Sequence, residues 1–237
     1  MGRIIFLFKR YYKKERGRIV MYPNAHDGIK KIYLGEVLSL IAVVVGSIAG
    51  IAAVIGYKVS EAGTDEIGAS AAFVGGGIVV VIAGILALAA FILNILGISN
   101  ASKDEPFFRK AMLWLIIGLI GSIATGMTKE GSALNLAADL VYQIGQIFVT
   151  FYVIDGVVSL AHKVGSSEVA AKGAKLKNVI IGIYVISLVL TVISKFVSGS
   201  DTMTVIAGVL AVIALIAMVI AYFMYLNLLS RGKQMLA

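Results

Sequence analysis

The stretch LGISNASKDEPFFRKAMLWLI, residues 96–116, sets a charged patch at 102–110 between two long apolar runs. The side of a membrane that this patch faces fixes how the rest of the chain is threaded. A bilayer is required by composition: over 237 residues, 59% are hydrophobic and 14% charged, with a mean hydropathy of +0.97. A soluble domain carries nearer a quarter charged residues. The chain therefore reads as an all-α integral membrane protein.

Six apolar runs stand near 33–56, 71–98, 110–127, 136–160, 178–197 and 203–228. Each is close to the ~20 residues that a helix needs to cross about 30 Å of hydrocarbon. They divide the chain into an N-terminal segment at 1–32, a six-helix transmembrane bundle at 33–229 and a tail at 230–237. No run has the short apolar core and small-residue cleavage site of a secretory signal. Pro23 and Pro106 are both expected in loops.

Basic residues orient the bundle. The N-terminal segment, the loops at 99–110 and 161–177 and the tail hold 18 of the 21 Lys and Arg, while the alternate segments hold only Lys58, Lys129 and Lys195. Cytoplasmic loops carry such an excess, so both termini and the 102–110 patch are expected inside, and the loop with Glu61, Asp65 and Glu66 outside. Residues 1–20 hold seven of the basic residues. They are either a lead upstream of a start at Met21 or a basic amphipathic segment on the inner leaflet. Without them the inner side still has 11 basic residues against three.

Odd-numbered spans are entered through basic residues, and spans one and three share GSIA, at Gly46–Ala49 and Gly121–Ala124. Three hairpins in series would give this pattern, by duplication or by topology alone. The segments DGIKKIYLGEVLSLIA (27–42) and LGISNASKDEPFFRKAMLWLIIGLI (96–120) resemble an uncharacterised family of small multi-pass membrane proteins of Gram-positive bacteria. The resemblance covers roughly the first half of the chain. It implies a bacterial cytoplasmic membrane and no catalytic residue.

Chemistry is sparsely provided for. There are no cysteines, and the two histidines, His26 and His162, lie outside the spans. HExxH, GxSxG and Walker sequences are absent, so neither metal, cofactor nor enzymatic activity is expected. The +8 charge lacks a soluble module to present it to nucleic acid. The expected partners are the lipid bilayer and a second copy or another membrane protein.

Ionisable and amide groups within spans are costly and so stand out. Glu36, Asn94 and Lys195 are close enough to span ends to reach the headgroups. Asp139, Gln143, Gln146 and Thr150, spaced +4, +3 and +4, share one face of span four. A matching stripe on span five is Tyr184, Ser187, Thr191 and Ser194. Two roles fit: hydrogen-bonding glue between helices, in a non-enzymatic scaffold or partner-binding protein, or a polar route for a small solute or ion, in a transporter or channel subunit. Asp155, near the inner end of span four, is expected to pair with an inner-loop lysine.

Small residues mark close packing: Gly46 and Gly50 in span one, Gly118, Ser122 and Gly126 in span three, and Ala207, Ala211, Ala214 and Ala221 in span six.

The threading is open to direct test. A reporter after Ala237 or near Lys103 is expected in the cytoplasm and one near Gly63 outside, and a cysteine replacing Ser102 should resist labelling from outside intact cells.

Overall fold

A computed structural model of the chain describes residues 12–15, 18–61, 66–129, 132–196 and 201–237, with the side chains of 12–21, 55–76, 185–207 and 210–211 left aside. Six helices account for nearly all of it: α1 (Pro23–Glu61), α2 (Glu66–Ala101), α3 (Pro106–Met127), α4 (Ala133–Lys163), α5 (Ser167–Phe196) and α6 (Asp201–Met235). Ahead of them, β1 (Tyr12–Glu15) and β2 (Arg18–Met21) pair antiparallel, with Tyr12 opposite Met21 and Glu15 opposite Arg18.

Among the described residues, five stretches are long and apolar enough to cross a bilayer: Pro23–Val54, Gly77–Ala101, Pro106–Met127, Ala133–Lys163 and Val212–Met235. The chain is thus a multi-pass helical membrane protein. Of the expected fifth span, 178–197, residues 178–196 lie in α5, and residue 197 and the side chains beyond Tyr184 fall outside the described residues.

The helices overrun the apolar runs. α1 begins ten residues before the expected start at 33, and the loops expected at 99–109 and 161–177 shrink to the short turns at 102–105 and 164–166. Hydropathy marks the part of a helix that lipid covers, whereas the backbone hydrogen bonds continue beyond it. The two prolines are not in loops: each opens a helix, Pro23 in α1 and Pro106 in α3. The missing N–H of proline costs nothing there, since a first-turn donor has no partner within the helix.

The chain forms two compact units, residues 30–97 and the remainder. In the first, α1 and α2 meet along small residues. Gly35, Ala42 and Ala49 recur every seventh residue on α1, and Ala83, Ala90 and Gly97 do so on α2. Gly35 packs so closely on α2 that a Cβ would lie 2.9 Å from the Ala90 carbonyl oxygen, and one on Gly46 would lie 3.7 Å from the Ala83 Cβ.

In the other unit α3 packs mainly on α4, and α5 runs against both α4 and α6. The α3 seam is Phe108, Ala111, Leu115, Gly118 and Gly121, all buried. Backbones touch here: a Cβ on Gly145 would stand 2.7 Å from the Gly118 Cα, and one on Gly121 2.7 Å from the Tyr142 nitrogen. Toward one end the packing thickens into a core of Ala25, Ile29, Ile98, Phe108, Ile154, Val157, Leu160, Leu228 and Leu229. The Phe108 ring lies on Gly156, where a Cβ would meet it at 2.6 Å.

Local signals end α4 sharply. Gly165 takes a left-handed φ of 75°, the Ser166 N–H donates to the Ala161 carbonyl and the Gly165 N–H to that of His162, a Schellman closure. At its start the Ser132 hydroxyl accepts from the Asn135 N–H at 3.2 Å. In the first turn of α5, Glu168 bonds Lys172 at 2.6 Å, and that bond, the Lys172 charge and Arg231 of α6 hold its carboxyl below the ordinary value.

Gly145→Ala should lower stability by about 1–3 kcal/mol, because the added methyl meets backbone that cannot turn aside. Gly126→Ala, where a Cβ meets nothing within 4 Å, should change little. Thermal unfolding of the two variants in one detergent compares them.

Candidate functional site

Two polar groupings stand out, one built into the core end of α3 and α4 and one exposed halfway along α4. The first begins with the turn at 102–105, where adjacent carboxylates reach different helices. Asp104 accepts from the Ala25 backbone N–H at 2.8 Å and from the Asn24 side chain at 2.9 Å. It thereby caps the first turn of α1, whose N–H groups lack partners within the helix and favour a negative charge. Asp27 in turn accepts from Asn100 at 2.7 Å.

Glu105, 2% exposed, precedes Pro106 but makes no side-chain cap to α3. Its Oε2 accepts from Lys163 Nζ at 2.6 Å and Ser159 Oγ at 3.0 Å, both on α4. Lys163 also lies 5.9 Å from the centre of the Tyr22 ring, and Tyr22 has a φ of 52° just before Pro23. A second pair follows further along α4, where Lys177 of α5 bonds both oxygens of Asp155 at 2.8 and 2.9 Å. The lysine expected for Asp155 is therefore supplied by α5.

The second grouping is the α4 polar face. Gln143 Nε2 donates to Asp139 Oδ2 at 2.7 Å within the helix, and the Thr150 hydroxyl donates to the Gln146 carbonyl at 3.1 Å. Gln143 and Gln146 are exposed. Between them Gly145 sits on Gly118, near the middle of the 22-residue α3, so the two amides lie at mid-height of the α3–α4 hairpin. Tyr184 makes an edge contact with Phe151 at 6.4 Å. Ser187, Thr191 and Ser194 lie outside the described side chains.

Of the small-residue stripes, Gly46 faces Ala83 and Gly118 faces Gly145, whereas a Cβ on Gly50 or Gly126 would meet nothing within 4 Å and Ser122 is exposed. A +4 step turns a helix position about 40° beyond a full circle, so every-fourth-residue stripes leave a seam that alternates +3 and +4. Ala214 and Ala221 are buried, and Ala207 and Ala211 lie outside the described side chains.

In the unit at 30–97, Asn94 Nδ2 donates to Glu36 Oε1 at 3.3 Å, while Asn94 Oδ1 is buried against Gly35 without an N–H or O–H donor. No three His, Asp or Glu residues among those described gather as a metal site. No family model, curated protein or solved structure matches the chain.

The carboxylates of the turn were missed in the sequence, because a charge in a loop carries no depth penalty to flag it. The one available signal is Asp-Glu-Pro at 104–106, a helix start preceded by two acids.

Lys163→Met should cost about 3 kcal/mol, since it strands a buried carboxylate. Glu105→Gln leaves a neutral amide facing a lysine that is 41% exposed and should cost less, about 1–2 kcal/mol. Denaturation in detergent should reproduce this order.

Proposed function

We propose that the protein is a non-enzymatic component of a bacterial cytoplasmic membrane, with both termini inside, that acts by binding another transmembrane helix. The helix is α4 of a second copy. One observation carries this: Gln143 and Gln146 stand exposed at mid-height of the α3–α4 hairpin. An amide group left in hydrocarbon without a partner is costly, and beyond the Gln143–Asp139 bond each glutamine still offers a donor and an acceptor.

A second copy suits the face because two identical helices at the same depth can exchange amide bonds about a two-fold axis. Four such bonds at about 0.6 kcal/mol each give roughly 2 kcal/mol, enough to select a pairing that close packing then stabilises. Asp27, Asp104, Glu105 and Asp155 are each engaged in structural bonds, which supports a role in holding shape over one in catalysis. The sidedness rests on the 18 basic residues set against three.

With no native cysteine, Leu140→Cys on the α4 surface gives a clean report. Oxidation in membranes should yield a covalent dimer, and Gln143→Leu with Gln146→Leu should reduce it several-fold while the fold persists. A Leu140→Cys chain that stays monomeric would remove the second copy as the partner.

A further inference from the structure

The lysines of the helical bundle differ in their partners. Lys163, Lys172 and Lys177 each hold a carboxylate, on Glu105, Glu168 and Asp155. Lys110 does not. Its Nζ stands 5.4 Å from the centre of the Phe107 ring and 5.7 Å from that of Tyr152 on α4, so it is seated by two aromatic faces that leave its charge uncompensated. Arg109 is beside it and also exposed. The acids nearest in sequence are spent elsewhere, Glu105 on Lys163 and Ser159, and Asp104 on the first turn of α1.

The surface that leads away from these cations is apolar and continuous. Leu113, Ile116, Ile120 and Ile123 are all exposed, and with Arg109 they are spaced +4, +3, +4 and +3, one face of α3. From Arg109 to Ile120 this face runs roughly 16 Å at 1.5 Å per residue, about one leaflet of a bilayer whose hydrocarbon is ~30 Å thick. Alongside, Trp114 stacks on Phe148 with centroids 4.3 Å apart, and Phe148 on Tyr152 at 6.1 Å. Of these rings Tyr152 stands nearest the headgroup side, roughly 10 Å along α4 from Gly145 at 1.5 Å per residue, toward the level where Tyr and Trp are enriched.

We propose that Arg109 and Lys110 bind the phosphate of an anionic phospholipid whose acyl chain lies along Leu113, Ile116 and Ile120. Arg109 offers a planar fork of donors to phosphate oxygens and Lys110 a compact charge whose position the two rings restrict. The net negative charge of the lipid is what the pair recognises. A zwitterionic lipid brings its own cation to the same phosphate and gains less.

Native mass spectrometry of the full chain in detergent, titrated with phosphatidylglycerol or with phosphatidylcholine of the same acyl chains, tests this. The wild type is expected to bind the anionic lipid about tenfold more tightly. Arg109→Gln with Lys110→Gln should abolish that preference, and Arg109→Lys with Lys110→Arg should keep most of it. Phe107→Leu with Tyr152→Leu, which leaves both charges but removes the seat, should weaken anionic binding several-fold and serves if the neutralised form does not fold. Lys175→Gln, an exposed cation on α5, should change nothing. Equal binding of the two lipids by the wild type, an undiminished preference in the neutralised or ring-deleted form, or an equal loss in Lys175→Gln would each overturn the proposal.

Discussion

The buried carboxylate of Glu105 is the constraint around which the larger unit is arranged. A charge removed from water must be paired or neutralised, and Lys163 and Ser159 bring α4 to it. Because Glu105 sits immediately before Pro106, fixing its side chain also fixes where α3 begins. Asp104, one residue earlier, is thereby placed to cap α1. Three helix ends are tied by two neighbouring acids, and the core of Ile29, Phe108, Val157 and Leu229 closes around them.

Away from that end the helices depend on a different physics. In lipid there is little hydrophobic gain from bringing two helices together, so dispersion between closely approaching backbones has to suffice. The Gly118–Gly145 contact in one unit and the Gly35–Ala90 contact in the other are both of this kind. Neither tolerates an added methyl easily, and both stand beside an amide side chain, Gln146 in the first and Asn94 in the second. Close packing thus coincides with the depths at which polar groups are held.

Much of the fold was legible in the sequence because hydrocarbon thickness imposes a length that apolar runs must meet. Helix ends were less so: the charged residues of 99–109 and 161–177 look like loops by hydropathy, yet most of them continue helices into water. Seam residues were half legible. Gly46 and Gly118 lie against a neighbour while Gly50 and Gly126 do not, since residue identity reveals small side chains and only phase reveals which of them point inward. For the polar face of α4, periodicity placed Gln143 and Gln146 on one side, but no feature of a single chain's sequence states what lies opposite. Asp104 and Glu105 were hidden because their partners, Ala25 and Lys163, stand 79 residues before and 58 after them.

Those separations set an order of assembly during synthesis. When α1 leaves the ribosome, the donors of its first turn must remain with water until Asp104 has been made, 79 residues after Ala25, roughly 4–16 s at bacterial and eukaryotic elongation rates of about 5–20 residues per second. Glu105 then waits for Lys163, 58 residues further, or roughly 3–12 s at the same rates. Through that interval its carboxylate has no buried partner and holds the start of α3 at the aqueous surface. The emergence of α4 is therefore the event that lets α3 settle and the early helices lock, so the chain closes upon itself only after more than half of it has been translated.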